Sequence, residues 1–191
     1  KQPNYDNVGD YVDYEDVTDA PQEQLALPSG ISNLTTPDTI QPDAIKFIRK
    51  DSKNSQGYYE EFSNFTASSV KIVDEMDIKY PNVENYYQAS KSLDKAERLK
   101  FVNISAYSAK QLGKSIKLRS DWDNVKYDVM RKGLSQKFSD PKFMQILQST
   151  KGKQIIEWTW WGDKIWGMNL QSQGNNALGK LLMELRDGLP S

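Results

Sequence analysis

Acidic side chains and prolines crowd into the first quarter of the chain, and that division limits where a core can form. Residues 1–44 carry nine acids (Asp6, Asp10, Asp13, Glu15, Asp16, Asp19, Glu23, Asp38 and Asp43) against one base, Lys1, for a charge of −8. They also hold Pro3, Pro21, Pro28, Pro37 and Pro42, five of the eight prolines. A self-repelling, proline-broken segment buries too little apolar surface to offset the entropy of ordering it. Apart from an apolar patch at Leu25, Ala26 and Leu27, it shows no sustained periodicity. Residues 1–44 therefore read as a largely irregular acidic arm, and the packed domain is expected in 45–191. The arm is either a solvated linker or a contact for the domain or for another protein, with Tyr5, Tyr11 and Tyr14 supplying contact area.

Of 25 basic and 26 acidic residues in all, the body keeps 24 and 17, or +7, a balance that suits a phosphorylated ligand or nucleic acid. A body of about 150 residues buries roughly 70% of its unfolded surface and needs no disulfide or metal staple. The chain has no cysteine and no histidine, which removes Cys/His zinc sites, cysteine nucleophiles and Ser-His-Asp triads. Acid–base chemistry falls to Asp, Glu, Lys or Tyr. No apolar run reaches the length of a membrane span, and the first residues do not resemble a signal peptide, so a cytoplasmic chain without a membrane partner is expected.

Along the body, strands are predicted at 45–49, 70–73, 78–80 and 154–159, the middle two pairing across a turn at 74–77. A polar stretch covers 52–57. Asn82 after Pro81 predicts a helix over 83–91, and further helices are expected over 94–101 and over 105–112, the latter stopped by Gly113. Ser120-Asp121-Trp122-Asp123 has the form of a capping box opening a helix to 138, with Trp122, Val125, Val129, Met130 and Leu134 at helical spacing. Asp140-Pro141 supplies a cap and a first-turn proline for a helix to 148. The last helix, 176–187, carries Ala177, Leu178, Leu181, Leu182 and Leu185 on one side and Gly188 at its end. The fold class is a helix-rich α+β domain with a small sheet, without the regular alternation of a doubly wound fold.

Several separated segments carry a shared signature. They are Glu61-Phe62-Ser63-Asn64-Phe65; Tyr80-Pro81-Asn82-Val83-Glu84-Asn85-Tyr86-Tyr87-Gln88-Ala89; and Ala109-Lys110-Gln111-Leu112-Gly113 with Arg119 and Asp121-Trp122. Val129-Met130-Arg131-Lys132, Lys137-Phe138, Asp163-Lys164-Ile165-Trp166-Gly167 and the run from Gly174 to Arg186 follow. In order and spacing these resemble the NADAR (YbiA-like) family over about 45–189. Departures stand at Asn85, where the family commonly has His, at Tyr80 in place of Trp, and at Met168-Asn169.

The resemblance implies an N-glycosidase. Its substrate would be a phosphorylated ribosylamino-pyrimidine of the riboflavin-pathway type or ADP-ribosylated guanine in nucleic acid, and no cofactor or metal would be needed. Breaking a ribose–nitrogen bond builds positive charge at C1′ and the ring oxygen, which a nearby carboxylate stabilises. From the residues alone, Glu84 reads as a first-turn acid complementing the helix dipole; the resemblance makes it the active-site carboxylate. Asp163 reads as a turn acid or as the second catalytic carboxylate. Trp122 and Trp166 can stack on a base or simply pack the core. The resemblance adds Phe62 and Gly167 to the substrate-binding set. Asn64 is a ligand donor or a local loop amide, and Lys110 and Arg119 are candidate phosphate contacts. Gly174 and Asn176 open the last helix, where backbone N–H groups suit phosphate or ribose oxygens and Asn176 can also cap. Two other readings stay open: a module that binds ADP-ribose or a nucleotide without cleaving it, and a structural or assembly protein with a relict domain.

Overall fold

The structure, a computed structural model, describes residues 31–48, 59–159 and 162–188. The arm over 1–30, with its tyrosines and the patch at 25–27, and the polar stretch 52–57 lie outside the described residues.

Among the described residues the strands are β1 (Ile45–Phe47), β2 (Ile72–Val73), β3 (Lys79–Tyr80) and β4 (Ile155–Glu157). The helices are α1 (Val83–Ala89), α2 (Lys95–Leu99), α3 (Ala106–Gly113), α4 (Trp122–Lys137), α5 (Pro141–Ser149) and α6 (Ala177–Asp187). This is the expected helix-rich α+β arrangement. No helix among these residues is long and apolar enough to cross a membrane. β1 lies parallel to β4 with Ile45 opposite Ile155, and β2 runs antiparallel to β3 with Ile72 opposite Tyr80. The turn of that hairpin forms because Asp74 Oδ1 accepts from the backbone N–H of Met76 and of Ile78, both at 2.9 Å.

Every residue of α1 is buried, including Glu84, Asn85 and Gln88. The helix starts where Asn82 accepts a bond from Asn85 N at 2.9 Å, and it is enclosed by α3, α4 and the β2–β3 hairpin. Polar groups in such a position need partners. Asn85 Nδ2 donates to the carbonyls of Phe101 (2.7 Å) and Ile104 (2.8 Å), tying the segment before α3 to α1.

Beneath the hairpin a second polar knot is sealed from water. Arg98 Nη1 meets Asp74 Oδ2 at 3.0 Å with both side chains at 0% exposure, Tyr80 Oη donates to the same oxygen at 2.8 Å, and Arg98 Nε donates to Ser92 O at 2.6 Å. Burial disfavours the Asp74 charge, but the hydrogen bonds from Ile78 N, Tyr80, Arg98 and Met76 N outweigh it and hold the carboxyl below its ordinary range.

α5 starts as expected, with Asp140 accepting from Lys142 N at 2.9 Å and Pro141 in the first turn. α1 stops at Ala89 and α2 at Leu99, each two residues before the expected end, and two other helix ends carry different contacts from those expected. The capping box of Ser120 and Asp123 before α4 does not form: the helix opens at Trp122 with Asp121 as its cap residue, which makes no side-chain cap bond and holds the Arg119 fork at 2.6 and 2.8 Å, while Asp123 accepts from Lys126. Gly113 ends α3 as its last residue rather than following it, and its absent Cβ makes room for the Gln88 amide. Leu178, Leu181 and Leu182 of α6 pack into the core against β4 and α5, whereas Leu185, Val125 and Val129 are only half-buried.

Residues 31–44, read from sequence as part of the arm, form turns without helix or strand, yet Ile31 and Leu34 are core residues at 3% and 0% exposure. Lys180 Nζ donates to the carbonyls of Asn33 and Thr36, Asp38 N donates to Gly174 O, and Asp38 Oδ2 accepts from Asn176 Nδ2 and Gln154 Nε2.

Candidate active site

α1 forms the floor of a cleft through Glu84, Tyr87 and Gln88. Its walls are Ser63, Asn64 and Phe65 after a 3-10 turn (Glu60–Phe62), Lys110 of α3, Met130 of α4, Glu157 at the end of β4, and Asp163 and Trp166 of the loop entering α6. Five residues singled out from sequence thus share one concavity: Asn64, Glu84, Lys110, Asp163 and Trp166. Among the described residues no three acidic side chains converge closely enough to hold a metal ion.

Glu84 is 6% exposed, sits in the first turn of α1, and accepts a bond from Gln88 Nε2 at 2.9 Å. Its own N–H donates to Asn64 O at 3.1 Å, which fixes the entry loop against the helix. Asp163 is both a turn acid and a lining residue of the cleft. Oδ1 accepts from Ile165 N (3.0 Å) and Trp166 N (2.8 Å), so the carboxylate shapes its own loop while it faces the cleft. Trp166 is wedged edge-on against Tyr87, ring centroids 5.5 Å apart, and tilted against Tyr127 at 5.3 Å. Burial, with the negative charges of Glu84 and Asp163, pushes the Tyr87 phenol well up, so it stays protonated between the two acids.

The other residues named from sequence do not line this cleft. Phe62 is fully buried among Phe47, Tyr59 and Phe138. Trp122 packs behind the floor on Tyr87, centroids 5.0 Å apart. Arg119 spends its fork on Asp121. The backbone N–H groups expected to receive phosphate at the start of α6 are consumed within the protein: Asn175 N, Asn176 N, Ala177 N and Leu178 N donate to the carbonyls of Lys164, Gly167, Ile165 and Trp166. Asn176 makes no side-chain cap; in left-handed conformation (φ 52°) it donates to Ile155 O at 2.8 Å and accepts from Glu157 N at 3.1 Å, pinning β4. Gly174 adopts φ 147° and passes so close to Gly167 O that a side chain has no room. At Gly167 a Cβ would come within 2.6 Å of Thr159 Cγ2 and 2.7 Å of Glu157 O, so this glycine lets the loop lie flat on the strand that presents Glu157.

The residues missed are Glu157, Tyr87 and Gln88, together with Ser63, Phe65 and Met130. For Glu157 one signal existed, a single acid ending an otherwise apolar strand. The three departures from the family pattern lie away from the cleft: Asn85 faces the segment before α3, Tyr80 binds Asp74, and Met168 is in the core with Asn169 closing a turn.

Residues 47–190 match the family model described as NADAR domain. N-glycosidase YbiA of Escherichia coli is 37% identical over 135 residues, 69% of this chain and 82% of that protein. Riboflavin biosynthesis protein PYRR, chloroplastic, of Zea mays is 34% identical over 141 residues, 65% of this chain and 22% of that longer protein. The NMR structure of the Escherichia coli protein YbiA is similar with a TM-score of 0.64 at 34% identity, covering 78% of this chain and 86% of that one. Motif order, fold and a match running from 47 to 190 agree, and the chain belongs to the NADAR family.

Proposed function

We propose that this N-glycosidase hydrolyses the bond between ribose and nitrogen in a phosphorylated ribosylamino-pyrimidine. The observation that carries the reading is Glu84: a carboxylate on a helix buried along its whole length, turned into a cleft that also holds Asp163 and an aromatic wall. A buried acid has little value for stability, and its position matches what an oxocarbenium-like transition state needs. Water adds its oxygen to C1′, the C1′–N bond breaks with its electron pair passing to nitrogen, one of the water's protons goes to that nitrogen to release the free amine, and the other stays on the new C1′ hydroxyl. In this scheme Glu84 stabilises the charge at C1′ and orients the water, Asp163 polarises the site from the opposite wall, and Trp166 with the neutral Tyr87 shapes the pocket for a flat base. Lys110 is the cation for the phosphate. The maize relative named for riboflavin biosynthesis supports the pyrimidine substrate over ADP-ribosylated guanine.

The test incubates the protein and a Glu84→Gln variant with a ribosylamino-pyrimidine phosphate and, separately, with ADP-ribosylated guanine DNA, and follows base release by mass. Glu84-dependent release of the pyrimidine is expected, with a loss on the order of 10²–10³ in kcat in the variant. Release from the DNA alone would move the substrate to the second class. Binding without turnover would replace the enzyme by a binding module.

A further inference from the structure

Gln88 follows Glu84 by one helical turn, so the two side chains share a face of α1. Gln88 is 1% exposed, and its Nε2 donates to Glu84 Oε1 at 2.9 Å. The other half of the same amide, Oε1, is buried and accepts no hydrogen bond from the described residues. It lies over Gly113 of α3, where any Cβ would collide with it. A buried amide with an unsatisfied acceptor is a poor choice for stability, since a Met of similar shape would fill the space without the orphaned oxygen. The amide is nevertheless held with its NH₂ toward Glu84. The opposite flip would set an acceptor oxygen against a carboxylate that only accepts. Two residues on different helices are thus matched to one outcome, a donor fixed on Glu84.

We propose that Gln88 is a positioning residue that locks the Glu84 carboxylate in its working rotamer and favours its ionised form, and that the missing side chain at Gly113 is what holds Gln88 in place. Gln88 bonds the Glu84 carboxylate directly, and its effect passes through that carboxylate. A charge-assisted bond favours the charged partner over the neutral acid. Loss of the donor therefore raises the pH at which Glu84 takes up a proton. Gly113→Ala keeps the Gln88 chemistry intact but drives the amide aside, and produces the same change without altering any group that bonds Glu84. The inference rests on Glu84 being the working carboxylate, and its test is chosen to stand apart from that reading.

The experiment is a carbon-13 NMR titration of the side-chain carboxyls in protein labelled at glutamate, with the Glu84 signal identified by its disappearance in Glu84→Gln. Wild type, Gln88→Met and Gly113→Ala are compared. The Glu84 titration is expected to move up by about one pH unit or more in both variants. In turnover assays the acid limb of kcat against pH moves the same way, with kcat down on the order of tenfold or more and KM little changed. An unmoved Glu84 titration in Gln88→Met overturns the proposal, as does a loss of kcat with the acid limb unshifted. If Gln88→Met fails to fold, the stability argument fails with it, and Gly113→Ala then decides: an unmoved titration there also overturns it. If Glu84→Gln keeps full turnover, the catalytic reading of Glu84 falls, while the titration still judges whether Gln88 governs its charge.

Discussion

Replacing Arg98 by Met removes the centre of the sealed knot under the β2–β3 hairpin, and the contacts set the size of the effect. The bond to Glu75 Oε1 (2.8 Å) counts for little, because that carboxylate is 61% exposed and water takes over. The bond to Asp74 counts for most, since both side chains are fully buried and the substitution leaves an uncompensated interior charge. Breaking such a pair from one side costs about 3–5 kcal/mol. Tyr80 and two backbone N–H groups still serve Asp74, which argues for the lower part of that range, while the abandoned Ser92 carbonyl adds a further contribution. A net loss of about 4 kcal/mol at pH 7 follows, and with a urea slope of roughly 2 kcal/mol/M the midpoint falls by about 2 M. The pH dependence supplies a second reading. Because Asp74 is held below its ordinary range, its contribution is present above the unfolded value near 4 and is lost as pH falls through the lower folded value. In Arg98→Met the carboxyl is instead pushed up by burial, so the deficit should shrink once the pH drops below about 4. A loss under about 1 kcal/mol at pH 7, or one that stays constant from pH 7 to 3, would refute the reasoning.

Three further outcomes are expected. Gly167→Ala forces the loop off β4 at Thr159 and the Glu157 carbonyl, and should cost about 1–3 kcal/mol in urea unfolding while lowering turnover through displaced Glu157. Asn176→Ala removes bonds to Ile155 O, Asp38 and Glu157 N from a left-handed position, for a loss of about 2–4 kcal/mol; Asp38→Ala, which loses the bonds from Gln154, Asn176 and, at an exposed position, Thr39 N, should cost less. Burial, with the Glu75 charge added, pushes the Tyr86 phenol up to about 12. A phenol raised above its unfolded value near 10 gives stability that is whole below pH 10 and lost as the pH climbs toward 12; tyrosinate absorbance and unfolding, followed together, should rise in that window.

Local chemistry was legible at three places where a side chain serves backbone within one turn. Asn82 before α1, Asp140-Pro141 before α5 and the hairpin turn at Asp74 act on backbone two to four residues away, so sequence alone locates them. The failures share one cause, a competing partner that spacing does not reveal. Asp123 of the expected capping box accepts from Lys126, Gly113 ends α3 against the Gln88 amide, and the carbonyls of 164–167 occupy the amides at the start of α6. In the site, the motifs bring Glu84, Asn64, Lys110, Asp163 and Trp166 to one cleft, whereas Glu157 reaches it only because β4 is pinned by Asn176 and cleared by Gly167. The motif glycines and asparagine read as ligand contacts lie behind the cleft-lining residues and shape that wall.

The lacing of 31–38 onto the α6 end of the body sets an order of events in time. Asp38 and Asn176, 138 residues apart, meet at one hydrogen bond, and β1 pairs with β4 over the long separation from Ile45 to Ile155. Contacts of such separation form late, because the loop between them must be closed before they return any free energy. A ribosome adding about 5–20 residues per second will have exposed α1 for several seconds before β4 exists. Glu84 therefore waits, on a helix designed to be enclosed, for Glu157 and Asp163 to arrive from the far side of that closure. Half-made chains carry the first carboxylate but no cleft, and the cell meets the chemistry only when the last helix has docked.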